Sequence, residues 1–164
     1  GTHPTTAMCL EWLDQHPTVD KTYIDYGCGS GILAISALKL GASRAVGIDY
    51  DPQALSASKD NAEKNHVEKQ LQLLDTNQLV NNQAINNQAD LLLANILAGV
   101  LVELVDTITA LVKPGGQIVL SGILSDQAEQ VLSVYTNHFD MQPVVSQHGW
   151  VRLEGTRINN AITH

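Results

Sequence analysis

The run Asp25-Tyr26-Gly27-Cys28-Gly29-Ser30-Gly31 constrains this chain more than any other segment. Three glycines at alternate positions weaken a strand or a helix, so the run reads as a turn. The residues before it, Lys21 to Tyr26, are rich in strand formers. Those after it, Ile32 to Leu40, are apolar and contain alanine, and Gly41 follows where a helix C-terminal cap belongs. The local reading is strand, tight turn, helix. In that setting each missing Cβ lets the backbone approach a ligand, with the N–H groups of the turn pointed toward it.

The remaining pattern places this unit in a larger alternation. Thr5 to about Gln15 has Met8, Cys9, Trp12 and Leu13 at helical spacing, and the His16-Pro17 break follows. Ala45 to Asp49 is a short buried strand, and Asp51-Pro52 caps a helix running to about Asn65. Leu71 to Leu74 is a third strand. Residues 76 to 88 hold eight Asn or Gln in thirteen positions, which predicts an exposed loop. Ala89 to Asn95 is a buried strand, and Leu97, Leu101, Leu104, Val105, Ile108 and Leu111 then recur at three and four, predicting one helix that ends at Lys113-Pro114-Gly115-Gly116. Gln117 to Ser121 is another strand, and Ser125 or Asp126 caps a helix carrying Ala128, Val131, Leu132 and Tyr135. Asp140 to Ser146 and Trp150 to Glu154 form a hairpin around His148-Gly149. This order predicts an α/β fold with a mainly parallel sheet and helices on both faces.

Composition sets limits on partners. With 44% hydrophobic and 16% charged residues, 164 residues suit one domain with a core that folds alone. No apolar run reaches the roughly 18 to 20 residues of a bilayer span and no signal peptide opens the chain, so the expectation is a soluble, cytoplasmic protein with no membrane partner. Two cysteines and six scattered histidines lack ligand spacing, and no metal is expected. Nine basic against seventeen acidic residues give a net charge of −8, which disfavours a nucleic-acid partner and suits either plain solubility or a basic partner.

The glycine spacing carries chemical information. A dinucleotide fingerprint is Gly-x-Gly-x-x-Gly, whereas here the third glycine comes one residue early and Asp25 precedes the first by two. Asp-x-Gly-x-Gly-x-Gly resembles motif I of class I methyltransferases, whose ligand presents an amino-acid end with an ammonium; an acid at Asp25 suits that end, directly or through water. Asp49, twenty residues beyond Gly29, is placed to accept from ribose hydroxyls. Asn95 ends the fourth strand, where an amide can accept from a substrate amine. Each has an ordinary alternative: Asp25 as a turn cap, Asp49 as a solvated strand end, Asn95 as a turn former. Cys28 has no histidine nearby in sequence and reads as a small side chain within the turn.

Five segments extend the resemblance over essentially the whole chain: Gly1 to Thr6 (Gly-Thr-His-Pro-Thr-Thr), Asp25 to Gly31, Gly47 to Ala54, Asn95 to Gly99 (Asn-Ile-Leu-Ala-Gly) and Leu120 to Leu124. Together they are similar to the catalytic domain of bacterial ribosomal protein methyltransferases of the PrmA type. The resemblance implies a class I, Rossmann-like, seven-stranded sheet and S-adenosyl-L-methionine as cofactor. It implies N-methylation of lysine and α-amino groups of a basic large-subunit ribosomal protein, the eleventh. It also implies that Thr6, Gly27, Asp49 and Asn95 bind the cofactor; Thr5 is counted with them, as are Asp25, Gly29 and Gly31 from the turn itself. Asn95 is the candidate for positioning the amine, in a reaction that rests on alignment and desolvation. The family carries a separate N-terminal substrate-recognition domain; this sequence starts at Gly1 without an initiator methionine, so the expectation is that such a domain lies upstream and is needed to capture the substrate. Methylation of another protein or a small molecule, a non-catalytic cofactor-binding module and an NAD-binding domain are the competing readings.

Overall fold

The computed structural model describes residues 3–16, 18–80 and 82–159. Helix α1 (Pro4–Gln15) opens the fold, with Pro4 in its first turn and the His3 ring accepting from the Thr5 amide. Strand β1 (Thr22–Tyr26) runs into the glycine turn and helix α2 (Ile32–Lys39). Strand β2 (Arg44–Asp49) leads to helix α3 (Pro52–Lys64), whose N-cap Asp51 accepts from the Gln53 amide. Strand β3 (Leu71–Asp75), helix α4 (Thr76–Val80) and strand β4 (Ala89–Asn95) follow. Helices α5 (Ala98–Glu103) and α6 (Val105–Leu111) lead to the long strand β5 (Val112–Leu124). Helix α7 (Ala128–Tyr135) and strands β6 (Phe139–Met141), β7 (Val145–Gln147) and β8 (Trp150–Arg157) complete the order.

The sheet order is β3-β2-β1-β4-β5-β8-β6, with β7 as an eighth strand pairing only β8. β1 to β5 are parallel, and β8 enters antiparallel between β5 and β6. Successive side chains of the central strands face opposite layers. Ile24, Leu92 and Ile118 join the core under α5, α6 and α7, while Tyr23, Leu93 and Val119 join the core under α1 and α2. A parallel strand covered on both faces is apolar along its covered length, which is why Leu91 to Ala94 reads as a continuous run.

The expected fold class is the one observed, with eight strands where seven were expected, because the segment before β8 forms two short strands, and with further differences in detail. The polar run 76–88 is not all loop: α4 and a 3-10 turn (Gln83–Ile85) lie within it, because its two interior anchors reach the core, Ile85 with 3% of its surface exposed and Leu79 partly buried. The single helix expected over 97–111 is broken at Leu104 into α5 and α6. Lys113 to Gly116 do not end a helix but form an irregular start to β5, where the register on β4 shifts between Ala89 and Leu91. The strand expected over 140–146 splits into β6 and β7 around Pro143, which has no N–H to give a ladder. Pro17, half of the expected break, lies outside the described residues, as do Gly1 and Thr2. Among the described residues no helix is long and apolar enough to cross a membrane.

α1 is tied to the far end of the chain. The buried Arg152 donates from Nη1 to the Met8 carbonyl at 2.8 Å, and its Nε lies 3.5 Å from Glu154 Oε2. Glu154 Oε1 accepts from the Trp12 indole at 2.6 Å. Arg152→Ala leaves a partly buried carboxylate without its cation, and is expected to cost about 2 to 3 kcal/mol of unfolding free energy, measured by urea denaturation.

Candidate functional site

The order of the sheet reverses between β1 and β4: the strands preceding β1 in the path step one way and those after β4 the other. Chains leaving the carboxyl ends of two such neighbours diverge, and the crevice between them is where ligands of open α/β sheets bind. Tyr26 pairs with Ala94 in register, so the glycine turn and Asn95 emerge side by side. Ile96, next after Asn95, packs on Gly27, where a Cβ would collide with the Ile96 Cγ2 methyl, and on Gly122, where a Cβ would stand 2.5 Å from the Ile96 carbonyl. Gly27 and Gly122 have φ of 79° and 84°, a left-handed backbone that side chains disfavour.

Two cavities meet at this point. One, of about 510 Å3, is lined by Gly27, Asp49, Tyr50, Ile96, Leu97 and Val100 among others. The second, of about 390 Å3, is lined by His3, Thr5, Thr6, Asn95, Gly122 and Trp150 and shares Ile96 and Leu97 with the first. A wider groove of about 640 Å3 between α1, α2 and α3 contains none of Thr5, Thr6, Asp49 or Asn95. Thr5, Thr6, Asp49 and Asn95 lie on the first two, whereas Ser30 of the glycine turn and Asn61 of α3 line the groove.

Asp49 is more than a strand end. Its Oδ2 accepts from the Gly29 amide at 2.9 Å and its Oδ1 from the Asp51 amide at 3.0 Å. An ionised carboxylate has about four acceptor sites, so these two bonds orient it across the mouth of the cleft and leave capacity for hydroxyl donors. Asn95 Nδ2 donates to Thr6 Oγ1 at 3.3 Å, leaving Oδ1 as an acceptor in the second cavity. Thr6 is held there through its neighbour: the Thr5 carbonyl accepts from Ser121 Oγ at 3.3 Å, and Thr5 Oγ1 lies 2.8 Å from His3 Nδ1.

Asp25 stands apart. Its side chain is 1% exposed and lines neither cavity; it is buried toward Cys9, Tyr23 and Ala34, and neither carboxyl oxygen has a hydrogen-bond partner among the described residues. Burial pushes its pKa from 3.8 up to about 7; the Ala34 amide opposes the shift but lies short of hydrogen-bond geometry, and the Asp49 charge adds to it. Gly31 is likewise beneath the turn, against Ser58. Burial also pushes the Cys28 thiol up to about 12, with the Asp25 charge next in effect, which keeps it protonated and unreactive.

Several lining residues had no legible signal in the sequence. Leu97 reads as a core position by spacing, yet it is the α5 N-cap and 73% exposed over the cleft. Tyr50 is an exposed aromatic immediately after Asp49, which could have marked it. Trp150 meets His3 edge-on at 5.3 Å from the opposite end of the chain, a pairing that only the fold creates.

Solved structures that share this fold include methyltransferases. An RNA methyltransferase of Salinibacter ruber, solved with S-adenosyl-L-homocysteine, aligns with a TM-score of 0.72 over 97% of this chain and 94% of its own, at 19% identity. The fold is that of the class I S-adenosylmethionine-dependent methyltransferases, whose cofactor is S-adenosyl-L-methionine. The ribosomal protein L11 methylase of Lactobacillus delbrueckii subsp. bulgaricus is nearer, with a TM-score of 0.86 and 29% identity over 97% of this chain and 81% of that one. A family model described as ribosomal protein L11 methyltransferase (PrmA) matches residues 1–158, and the chain belongs to that family. Proteins named ribosomal protein L11 methyltransferase from Pseudomonas aeruginosa and Vibrio cholerae are 53% and 52% identical over 96% of this chain. The chain spans about half the length of these curated relatives, 52% in each case.

The buried acid sets a pH dependence. With its folded-state pKa raised above the unfolded value, Asp25 takes up a proton on folding between about pH 4 and pH 7, so its contribution to stability falls as pH rises through that window. Asp25→Asn removes the ionisation, and its stability relative to the parent is expected to increase from about pH 5 to about pH 8 in urea titrations at the two values.

Proposed function

We propose that this chain is the catalytic part, residues 1–164, of a cytoplasmic enzyme that transfers methyl groups from S-adenosyl-L-methionine to lysine and α-amino groups of ribosomal protein L11. Capture of that protein then rests on the part of the relatives' length outside the matched region. The observation that carries the reading is the pair of cavities joined at Ile96 and Leu97, one suited to a nucleoside and the other to an amine.

The residues present fit the cofactor. A Cβ on Gly29 would meet nothing within 4 Å, so the turn is open on that side. Asp49 offers a carboxylate for ribose hydroxyls, and Tyr50, Ile96, Leu97 and Val100 offer apolar surface for a flat base. Thr6, Gly27 and Asn95 border the junction. S-adenosyl-L-methionine supplies an electrophilic methyl group at such a site. Asn95 Oδ1 accepts from the substrate amine, directing the nitrogen lone pair toward the junction, and the Thr6 hydroxyl holds the amide in place. The apolar walls keep water out of the line of approach. A net charge of −8 draws a basic protein toward the domain.

A transfer assay with the full-length enzyme, methyl-labelled S-adenosyl-L-methionine and purified ribosomal protein L11 tests the reading, with label on lysine and α-amino groups expected and an unlabelled protein refuting it. Asn95→Ala is expected to slow transfer by about 10- to 100-fold. Asp49→Ala is expected to weaken S-adenosyl-L-homocysteine binding by about 1 to 3 kcal/mol in calorimetry, whereas NAD is not expected to bind either protein.

A further inference from the structure

Helix α3 grips the glycine turn from behind. Ser58 and Asn61, three residues apart, project from the same face. Ser58 Oγ donates to the Gly29 carbonyl at 2.7 Å, and Asn61 Nδ2 donates to the Ser30 carbonyl at 2.9 Å. From the strand side, Asp49 takes the Gly29 amide at 2.9 Å. The other amides of the turn are spent within it or on β2: Gly27 and Cys28 both donate to the Ile48 carbonyl, at 2.7 and 3.0 Å, and Gly31 donates to the Cys28 carbonyl at 2.8 Å. Of residues 27–31, Ser30 alone has an amide with no protein acceptor among the described residues.

Peptide geometry gives these bonds a direction. No peptide bond among the described residues is cis, and across a trans peptide the Gly29 carbonyl and the Ser30 N–H point opposite ways. The bond that draws the Gly29 oxygen onto Ser58 therefore turns the Ser30 N–H away from α3. Gly29 and Gly31, with φ of 55° and 85°, are conformationally free residues that would otherwise sample many orientations. Packing enforces the grip, since a Cβ on Gly31 would lie 3.0 Å from Ser58 Oγ and 3.3 Å from Ser58 Cα.

We propose that Ser58 and Asn61 are positioning residues for the cofactor, fixing two consecutive carbonyls of the turn toward α3 so that its free amide and open face are set before the ligand arrives. The inference rests on reading the cleft as an S-adenosyl-L-methionine site. Ordering two glycines in advance removes an entropic cost from binding, and its loss shows in affinity.

The test pairs cofactor affinity with stability. Ser58→Ala removes one donor without adding bulk; Asn61→Asp keeps the size of a half-exposed side chain but cannot donate to a carbonyl. Each is expected to raise the calorimetric Kd for S-adenosyl-L-homocysteine by about three- to tenfold. Ala62→Gly, at a buried α3 position whose side chain makes neither of these two bonds, serves as control: it is expected to lower the thermal midpoint of the ligand-free protein and leave Kd unchanged. The proposal is overturned if Ser58→Ala and Asn61→Asp lower the midpoint yet bind as tightly as the parent, or if Ala62→Gly weakens binding as much as they do. A parent protein that binds no S-adenosyl-L-homocysteine refutes the cofactor reading itself, and this inference with it.

Discussion

The reversal of strand order between β1 and β4 is the constraint on which the site depends. Two parallel neighbours whose chains depart in opposite directions leave a gap that neither following helix can fill. In this protein the gap is narrowed by one residue. Ile96 enters it from β4, and the absence of a Cβ at Gly27 and at Gly122 is what allows it that close. Side chains at either glycine would push aside Ile96, which with Leu97 is the boundary between the two cavities, and would shift Asn95 with it.

Around this junction polar groups serve two tasks at once. Asp49 holds the Gly29 amide and the Asp51 amide while facing the cleft, so the same carboxylate joins the turn to the start of α3. Asn95 and Thr6 hold one another across elements distant in sequence. Asp25 has the opposite character: an acid sealed within the layer under the turn, without a hydrogen-bond partner among the described residues, carries an electrostatic cost in the ionised state that falls on folding.

Much of the architecture was legible because period and punctuation agreed. The strand-turn-helix at Asp25 to Gly31, the Asp51-Pro52 cap and the apolar run at Leu91 to Ala94 each combine a local preference with a burial pattern, and tertiary contacts had nothing to override. The misread segments are those where a few long-range contacts decide. Leu79 and Ile85 pull a polar tract onto the core, and Leu97 keeps helical spacing while facing solvent. For the site, Thr5, Thr6, Asp49 and Asn95 were visible as strand-end or motif residues, and the fold brings them to the two cavities or their rims. His3 and Trp150 were not, since nothing local in either one anticipates a partner at the other end of the chain. Asp25 was visible as an acid, but whether it faces a ligand or the interior is a matter of which side of β1 it occupies.

The attachment of α1 has a consequence for how the protein comes into being. The helix precedes every other element described in this chain, yet Thr5 is secured by Ser121, Met8 by Arg152 and Trp12 by Glu154, contacts spanning 116, 144 and 142 residues. Contacts of such separation form late, after nearly the whole chain is available to close the loop. The wall bearing Thr5 and Thr6 is thus finished only when β8 has left the ribosome, and a nascent chain short of that strand has its glycine turn encoded while one wall of the second cavity still lacks its anchors.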